Sequence, residues 1–350
     1  MKKIGIVTIV GPLGNYGNQL QNYALQQTLS KLGLYSETIQ DIRFCKNPLS
    51  IFTYYKAIIH SFTRYKYKPL NHKEPLNFFF WHKKYIKNAP ILIKSIEDEK
   101  KLLNYFDGFV VGSDQIWGPL CPWDSSELAF LDFAPQELRV AYSPSFGSSE
   151  IPDKRKDEYK SYLSGFKALS VREYKGAEII KNLIGIEVPV LIDPTMLLTT
   201  DEYDKIATSG PQRKYIFLYM LGDLIEQYRD YINIISKENE WEIIDIMKNP
   251  QFAGSNPSDF IGLIRDSQMV ITDSFHGTVF SLLYHKPLIL FNRKGTFDMY
   301  SRLETLWKKF EIQSVENNDI SQININWDKF EQILQKERQV SINFLKDNLL

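Results

Sequence analysis

"QMVITDSFHGTVFSLLYHKPLIL", residues 268–290, decides the fold. An apolar run from Met269 to Ile271 stops at Thr272, Asp273 and Ser274. His276 and Gly277 follow, then an apolar helical stretch, then Pro287 and a second apolar run, Leu288 to Phe291. Short continuous apolar runs are strands covered on both faces, and strand, loop, helix, strand is the grammar of a parallel α/β sheet.

The same grammar extends outward. Ile4–Val10, Phe109–Val111, Arg139–Tyr142, Ala168–Val171 and Val188–Ile192 read as strands, as do Tyr215–Met220, Glu242–Ile246, Met269–Ile271 and Leu288–Phe291. Between the first two, residues 19–32 read as a helix stopped by Gly33. The polar stretch 197–213, ending in Ser-Gly-Pro, is the best boundary. We therefore expect an α/β protein with two Rossmann-like domains facing a cleft, residues 1–198 and 199–326, and one closing helix, residues 327–350.

The totals set limits. A chain of 350 residues fits about two domains. Lys plus Arg equals Asp plus Glu, so nothing in the net charge of zero draws the chain to nucleic acid, and no nucleic-acid partner is expected. Cys45 and Cys121 form no CxxC pattern, which argues against a disulfide framework or zinc site and fits a reducing compartment. The apolar part of the start is too short for a signal peptide and is read as a strand. No run approaches the ~18 apolar residues of a membrane helix. Residues 53–87 hold eight Lys or Arg against one Glu, three of the five histidines, and the run Phe78, Phe79, Phe80, Trp81. Two readings stand: peripheral contact with an anionic membrane surface, or a helical excursion with a packed aromatic face and a solvated basic face.

Four strand ends carry chemistry. After Ile271, a helix start with Ser274, His276, Gly277 and Thr278 suits an anion: the helix dipole is positive there, Gly277 admits close approach, and the hydroxyls and imidazole donate. The alternative is a capped helix beside a satisfied histidine. After Val111, "GSDQIW" is expected to expose Ser113, Asp114, Gln115 and Trp117, a set suited to sugar hydroxyls with Asp114 as base; an N-cap is equally open. After the first strand, a glycine-rich loop with Asn15, Tyr16, Gly17 and Asn18 enters a helix. It lacks the GxGxxG pattern, so NAD is not expected. After Val171, Arg172 can grip a carboxylate or phosphate bidentately, or pair with Glu173. No metal-ligand spacing such as HExxH appears, and no metal or cofactor is expected.

"NYGNQLQNYAL", "VVGSDQIW", "SVRE", "LIDPTMLL" and "TDSFHGTVFSLLYHKPLI", in this order, resemble the polysaccharide pyruvyl transferases. The resemblance spans residues 4 to about 306. It implies two domains similar to GT-B glycosyltransferases, phosphoenolpyruvate as donor and a cyclic pyruvate ketal on a sugar as product. The implied acceptor is a glycan, often a lipid-linked oligosaccharide, of a capsule, exopolysaccharide or cell-wall polymer. The implied place is the cytoplasm, at the inner membrane face. It matches Arg172 to a donor-gripping arginine and His276 to the family's histidine. We assign the helix start of Ser274, Gly277 and Thr278 to cradle the donor, Asp114 to act as base, and Asn15, Tyr16, Gly17, Asn18, Ser113, Gln115 and Trp117 to meet the acceptor. The family's arginine two residues before its histidine is Ser274 here, so Arg265, Arg293 or Arg302 would have to reach in. A GT-B glycosyltransferase using a nucleotide sugar is the alternative.

Overall fold

The computed structural model describes residues 1–9, 15–41, 74–119, 127–222, 226–252, 254–291, 300–317 and 320–350. Both cysteines, Arg293 and residues 53–73 of the basic aromatic stretch lie outside them.

The first unit contains β1 (Lys3–Val7), α1 (Tyr16–Lys31), β2 (Tyr35–Asp41), α2 (Glu74–Tyr85), β3 (Asn88–Ile93), α3 (Ile96–Tyr105), β4 (Gly108–Val111), β5 (Arg139–Ala141), α4 (Lys156–Ser164), β6 (Ala168–Leu169) and α5 (Tyr174–Ile184). Its six strands lie in the order β3-β2-β1-β4-β5-β6, every neighbouring pair parallel. That is the order of a doubly wound Rossmann sheet, whose ligands sit beyond the carboxyl ends of the strands.

The short helix α6 (Thr200–Asp204) leads to the second unit: β7 (Tyr215–Tyr219), α7 (Glu226–Asn239), β8 (Glu242–Asp245), α8 (Pro257–Asp266), β9 (Met269–Thr272), α9 (Phe275–Leu283), β10 (Leu288–Phe291), α10 (Tyr300–Phe310), β11 (Gln313–Asn317) and β12 (Ile320–Asn324). Strands β8-β7-β9-β10 are parallel, and the β11–β12 hairpin adds antiparallel to the β10 edge.

Several elements differ from their sequence reading. Strand β1 ends at Val7. Residues 188–192 contribute only a bridge from Val190 to Val171. Pro189 interrupts there: it has no N–H to give and only its carbonyl pairs, with the Val171 N–H. Strand β2 carries polar residues inward. Gln26 of α1 donates to the Thr38 hydroxyl at 2.9 Å, and that hydroxyl donates to Asn22. A strand and helix that meet through a polar network show no apolar run, which hid both β2 and the full length of α1.

Helix α11 (Trp327–Leu349) closes the chain across both units. Trp327 stacks on His285 in the second, while Arg338 donates to the Met196 and Leu198 carbonyls and Lys2 to the Leu349 and Leu350 carbonyls in the first. One continuous core runs from Ile4 and Val110 through Tyr16 and Leu20 to Phe217, Phe260 and Phe280. The units thus share buried surface rather than meeting through a thin linker. Among the described residues no helix is long and apolar enough to cross a membrane.

Candidate active site between the two units

Arg172 is the centre of the site. It follows β6, and its side chain is 2% exposed. Its Nη1 donates to Asp193 at 2.7 Å, Nη2 lies 3.6 Å from Asp114, and Nε lies 4.0 Å from Glu173. The guanidinium carbon sits 4.3 Å from the centre of the Phe275 ring, which comes from the second unit. Burial alone would lower the Arg172 pKa, but the charges of Asp193, Asp114 and Glu173 outweigh it and raise it. The ion stays charged in the interior because three carboxyls surround it.

Local sequence places each of these groups. Asp114 stands where β4 has ended, in the left-handed region at φ 70°, which a short polar side chain tolerates. Its Oδ1 faces Arg172 and accepts from Gln115 N–H at 2.9 Å. Asp193 follows the run Val190 to Ile192. It accepts from the Thr195 amide and hydroxyl, from Ser113, and from Arg172. Burial pushes its pKa up, yet the nearby His276 imidazole and the Arg172 charge win and hold it far below the carboxylate range.

His276 comes from the second unit, in the first turn of α9. Its Nε2 lies 3.7 Å from Asp193 of the first unit. Its ring rests on Gly17, where a methyl group would overlap it. The imidazole is therefore held between the units rather than inside either.

The structure redistributes the expected roles. Gly277 serves packing: a Cβ there would come within 2.6 Å of the Thr272 hydroxyl, so the glycine lets α9 sit on β9. Thr278 is fully buried and its hydroxyl is spent on the Ser274 carbonyl at 3.0 Å. The Ser274 hydroxyl accepts from Gly277 N–H as an N-cap. None of these three hydroxyl or glycine positions is open to a ligand in the way the helix start suggested. Trp117 is not exposed: it is sealed in the core, donates to the Ala129 carbonyl and stacks on Phe130. Ser113 is likewise buried and bonded to Asp193. Gln115 is half-buried, its amide packed on Gly147. Tyr16 is buried at the contact between units, stacked on Phe260 at 4.6 Å. Asn15 caps α1, and Asn18 keeps a buried side-chain oxygen without a partner.

Of the arginines expected to make up for Ser274, Arg302 of α10 lies near the site. Arg302 lies buried there with its guanidinium carbon 5.9 Å from the Phe275 ring, on which Arg172 also rests. Arg265 is elsewhere, paired with Asp266 and Asp204. Sequence reasoning missed Asp193 and Phe275, and gave Glu173 only as a pairing partner of Arg172. Asp193 left a signal, an Asp-Pro ending an apolar run; Glu173 and Phe275 left only adjacency to Arg172 and His276.

The described part of the basic aromatic stretch packs. Phe78, Phe79 and Trp81 are buried, Trp81 donates to Ser258 at 2.8 Å, and Asn77 donates to the Gly254 carbonyl at 2.6 Å. Lys83, Lys84 and Lys87 lie over the rings of Phe79, Tyr85 and Tyr35. Among the described residues, no group of three or more His, Cys, Asp or Glu is placed to hold a metal ion.

The fold is GT-B-like, two Rossmann-like units with a buried cluster of charged residues between them. The polysaccharide pyruvyl transferase family model matches residues 15–295, most of the chain, and the protein belongs to that family. No curated protein matches it in sequence. Among solved structures, it is similar to a glycosyltransferase from Rickettsia africae ESF-5 (16% identity, 99% of this chain and 97% of that chain, TM-score 0.46). It is also similar to MnaA from S. aureus, solved with UDP (14%, 98% and 91%, 0.46). A third is the UDP-GlcNAc 2-epimerase from Neisseria meningitidis bound to UDP-GlcNAc (10%, 100% and 94%, 0.43).

Proposed function

We propose that the protein transfers pyruvate from phosphoenolpyruvate to a sugar of a surface-glycan intermediate, forming a cyclic ketal. One observation carries this reading. Arg172 Nε and Nη2 and His276 Nε2 are buried without hydrogen-bond partners, in one place between the units. Buried donors left unmade cost about 1–3 kcal/mol each, and an anionic ligand would satisfy them.

In this scheme Arg172, with Arg302 beyond the Phe275 ring, grips the donor's carboxylate and phosphate. Asp193 holds both Arg172 and His276 in place. A proton reaches the methylene carbon of the donor, a sugar hydroxyl oxygen bonds to the adjacent carbon, and phosphate leaves. The second hydroxyl oxygen then closes the ring. The two hydroxyl hydrogens end in the new methyl group and on phosphate, so the reaction balances without a cofactor. His276 is the proton donor or phosphate ligand, and Asp114 is the base for the hydroxyls. The acceptor is a lipid-linked glycan worked on at the inner face of the membrane.

The test uses calorimetry with phosphoenolpyruvate and an acceptor-dependent phosphate assay. Binding, with phosphate released only when glycan acceptor is present, supports the reading. Release of a nucleoside diphosphate from a sugar nucleotide would instead make the protein a glycosyltransferase. No donor binding at millimolar concentration ends the proposal. Because His276 is buried, its role is tested with His276→Gln, which keeps the volume, rather than with alanine.

A further inference from the structure

Glu173 has no part in that scheme, and its surroundings are unusual for a carboxyl. It occupies the N-cap position of α5 but does not cap the helix. It is fully buried. One oxygen accepts from Phe146 N–H at 2.8 Å, while the other is buried with no hydrogen-bond partner, 4.0 Å from Arg172 Nε. Ser145 approaches it from the same loop as Phe146, and Arg302 acts on it from α10 of the second unit. Beyond Arg172 stand Asp114 and Asp193, and beyond Asp193 stands His276 of α9.

If the donor is phosphoenolpyruvate, as proposed above, charge balance constrains the site. Three carboxyls already face two guanidiniums and one imidazole. The donor adds a carboxylate and a phosphate. Uncompensated buried ions cost several kcal/mol each, so not all three carboxyls can remain ionised beside it. Asp193 is bound by Arg172, Ser113 and Thr195 and is supported as an anion, while Asp114 accepts from the Gln115 amide with Arg172 3.6 Å away. Of the three carboxyls, Glu173 alone keeps a buried oxygen with no hydrogen-bond partner. Burial pushes its pKa up, against the opposing charges of Arg172 and Arg302.

We propose that Glu173 holds a proton in the donor-loaded site, which frees the Arg172 and Arg302 guanidiniums from an internal anion and turns them to the donor. Glu173 is then a positioning residue whose protonation sets donor affinity. Ionised, it competes with the donor for both arginines; protonated, it does not.

The experiment is donor affinity against pH, from about pH 7 to about pH 9, above the phosphate ionisation near about 6. In the unmodified protein the dissociation constant should rise by up to about tenfold per pH unit once the carboxyl titrates. Glu173→Gln should match the unmodified protein at the low end and stay flat, binding more tightly at the high end. Proton uptake by the unmodified protein, read by calorimetry in two buffers of different ionisation heat, provides a second measurement that needs no variant. Superimposed profiles, weaker binding by the Gln variant throughout, or donor binding with no proton uptake at any pH each overturn the proposal. Absence of donor binding in the unmodified protein removes the functional reading itself, and this one with it.

Discussion

Two patches join the units, and they are built on opposite principles. Around Tyr16 the contact is aromatic and satisfied. Tyr16 stacks on Phe260, meets Tyr219 and Phe78, and donates its hydroxyl to the Ser255 carbonyl. Past Gly17, around His276 and Arg172, the contact is ionic and incomplete, with buried nitrogens left without partners. Aromatic pairs add about 0.5–1.5 kcal/mol each beyond the area they bury. Buried charges gain stability only when fully matched. The first patch holds the units together, and the second leaves buried polar groups unsatisfied.

The sharpest way to break this contrast is Arg172→Ala. It should lower donor-dependent turnover by about 10³-fold, as loss of a preorganised cation does. It should also cost about 3–5 kcal/mol of stability by stranding Asp193, Asp114 and Glu173, read by urea denaturation. Phe260→Ala should cost a similar 3–5 kcal/mol, yet leave turnover per folded molecule near the unmodified value well below the melting temperature. Equal loss of turnover in both variants would erase the distinction.

Gly17→Ala tests the seam between the patches, since α1 carries both Tyr16 and the seat of His276. Displacing the imidazole should cost about 10²-fold in turnover for only about 1–3 kcal/mol of stability. Acid provides a smaller signal. The Asp193 carboxyl is held below its unfolded value, so its contribution is present above roughly pH 4 and is lost as pH falls toward the folded value. Asp193→Asn should flatten the fall of melting temperature in that range. The smallest effect is Trp81→Phe, which removes the bond to Ser258 and should cost about 1 kcal/mol without touching turnover.

How much of this was legible depends on what each segment buries. Strands β4, β7, β9 and β10 are apolar runs, and their reading needs no partner. Strands β2 and β12 are not: β2 faces the polar side chains of α1, and β12 pairs in an edge hairpin. Arg172 and His276 were visible as charged or titratable residues at strand ends. Trp117 was read outward because a tryptophan after a turn suits a sugar, whereas the fold turns it onto Phe130 and Phe166.

Linear order was enough for the alternation of strands and helices and for the parallel α/β class, because backbone pairing and apolar periodicity are local. Which charges face one another was settled only by folding. Asp193 lies 21 residues from Arg172, and His276 lies 83 residues beyond Asp193; Arg302 and Phe275 come from two different helices of the second unit. Electrostatic partnership depends on distance and on the exclusion of water, and neither is written along the chain.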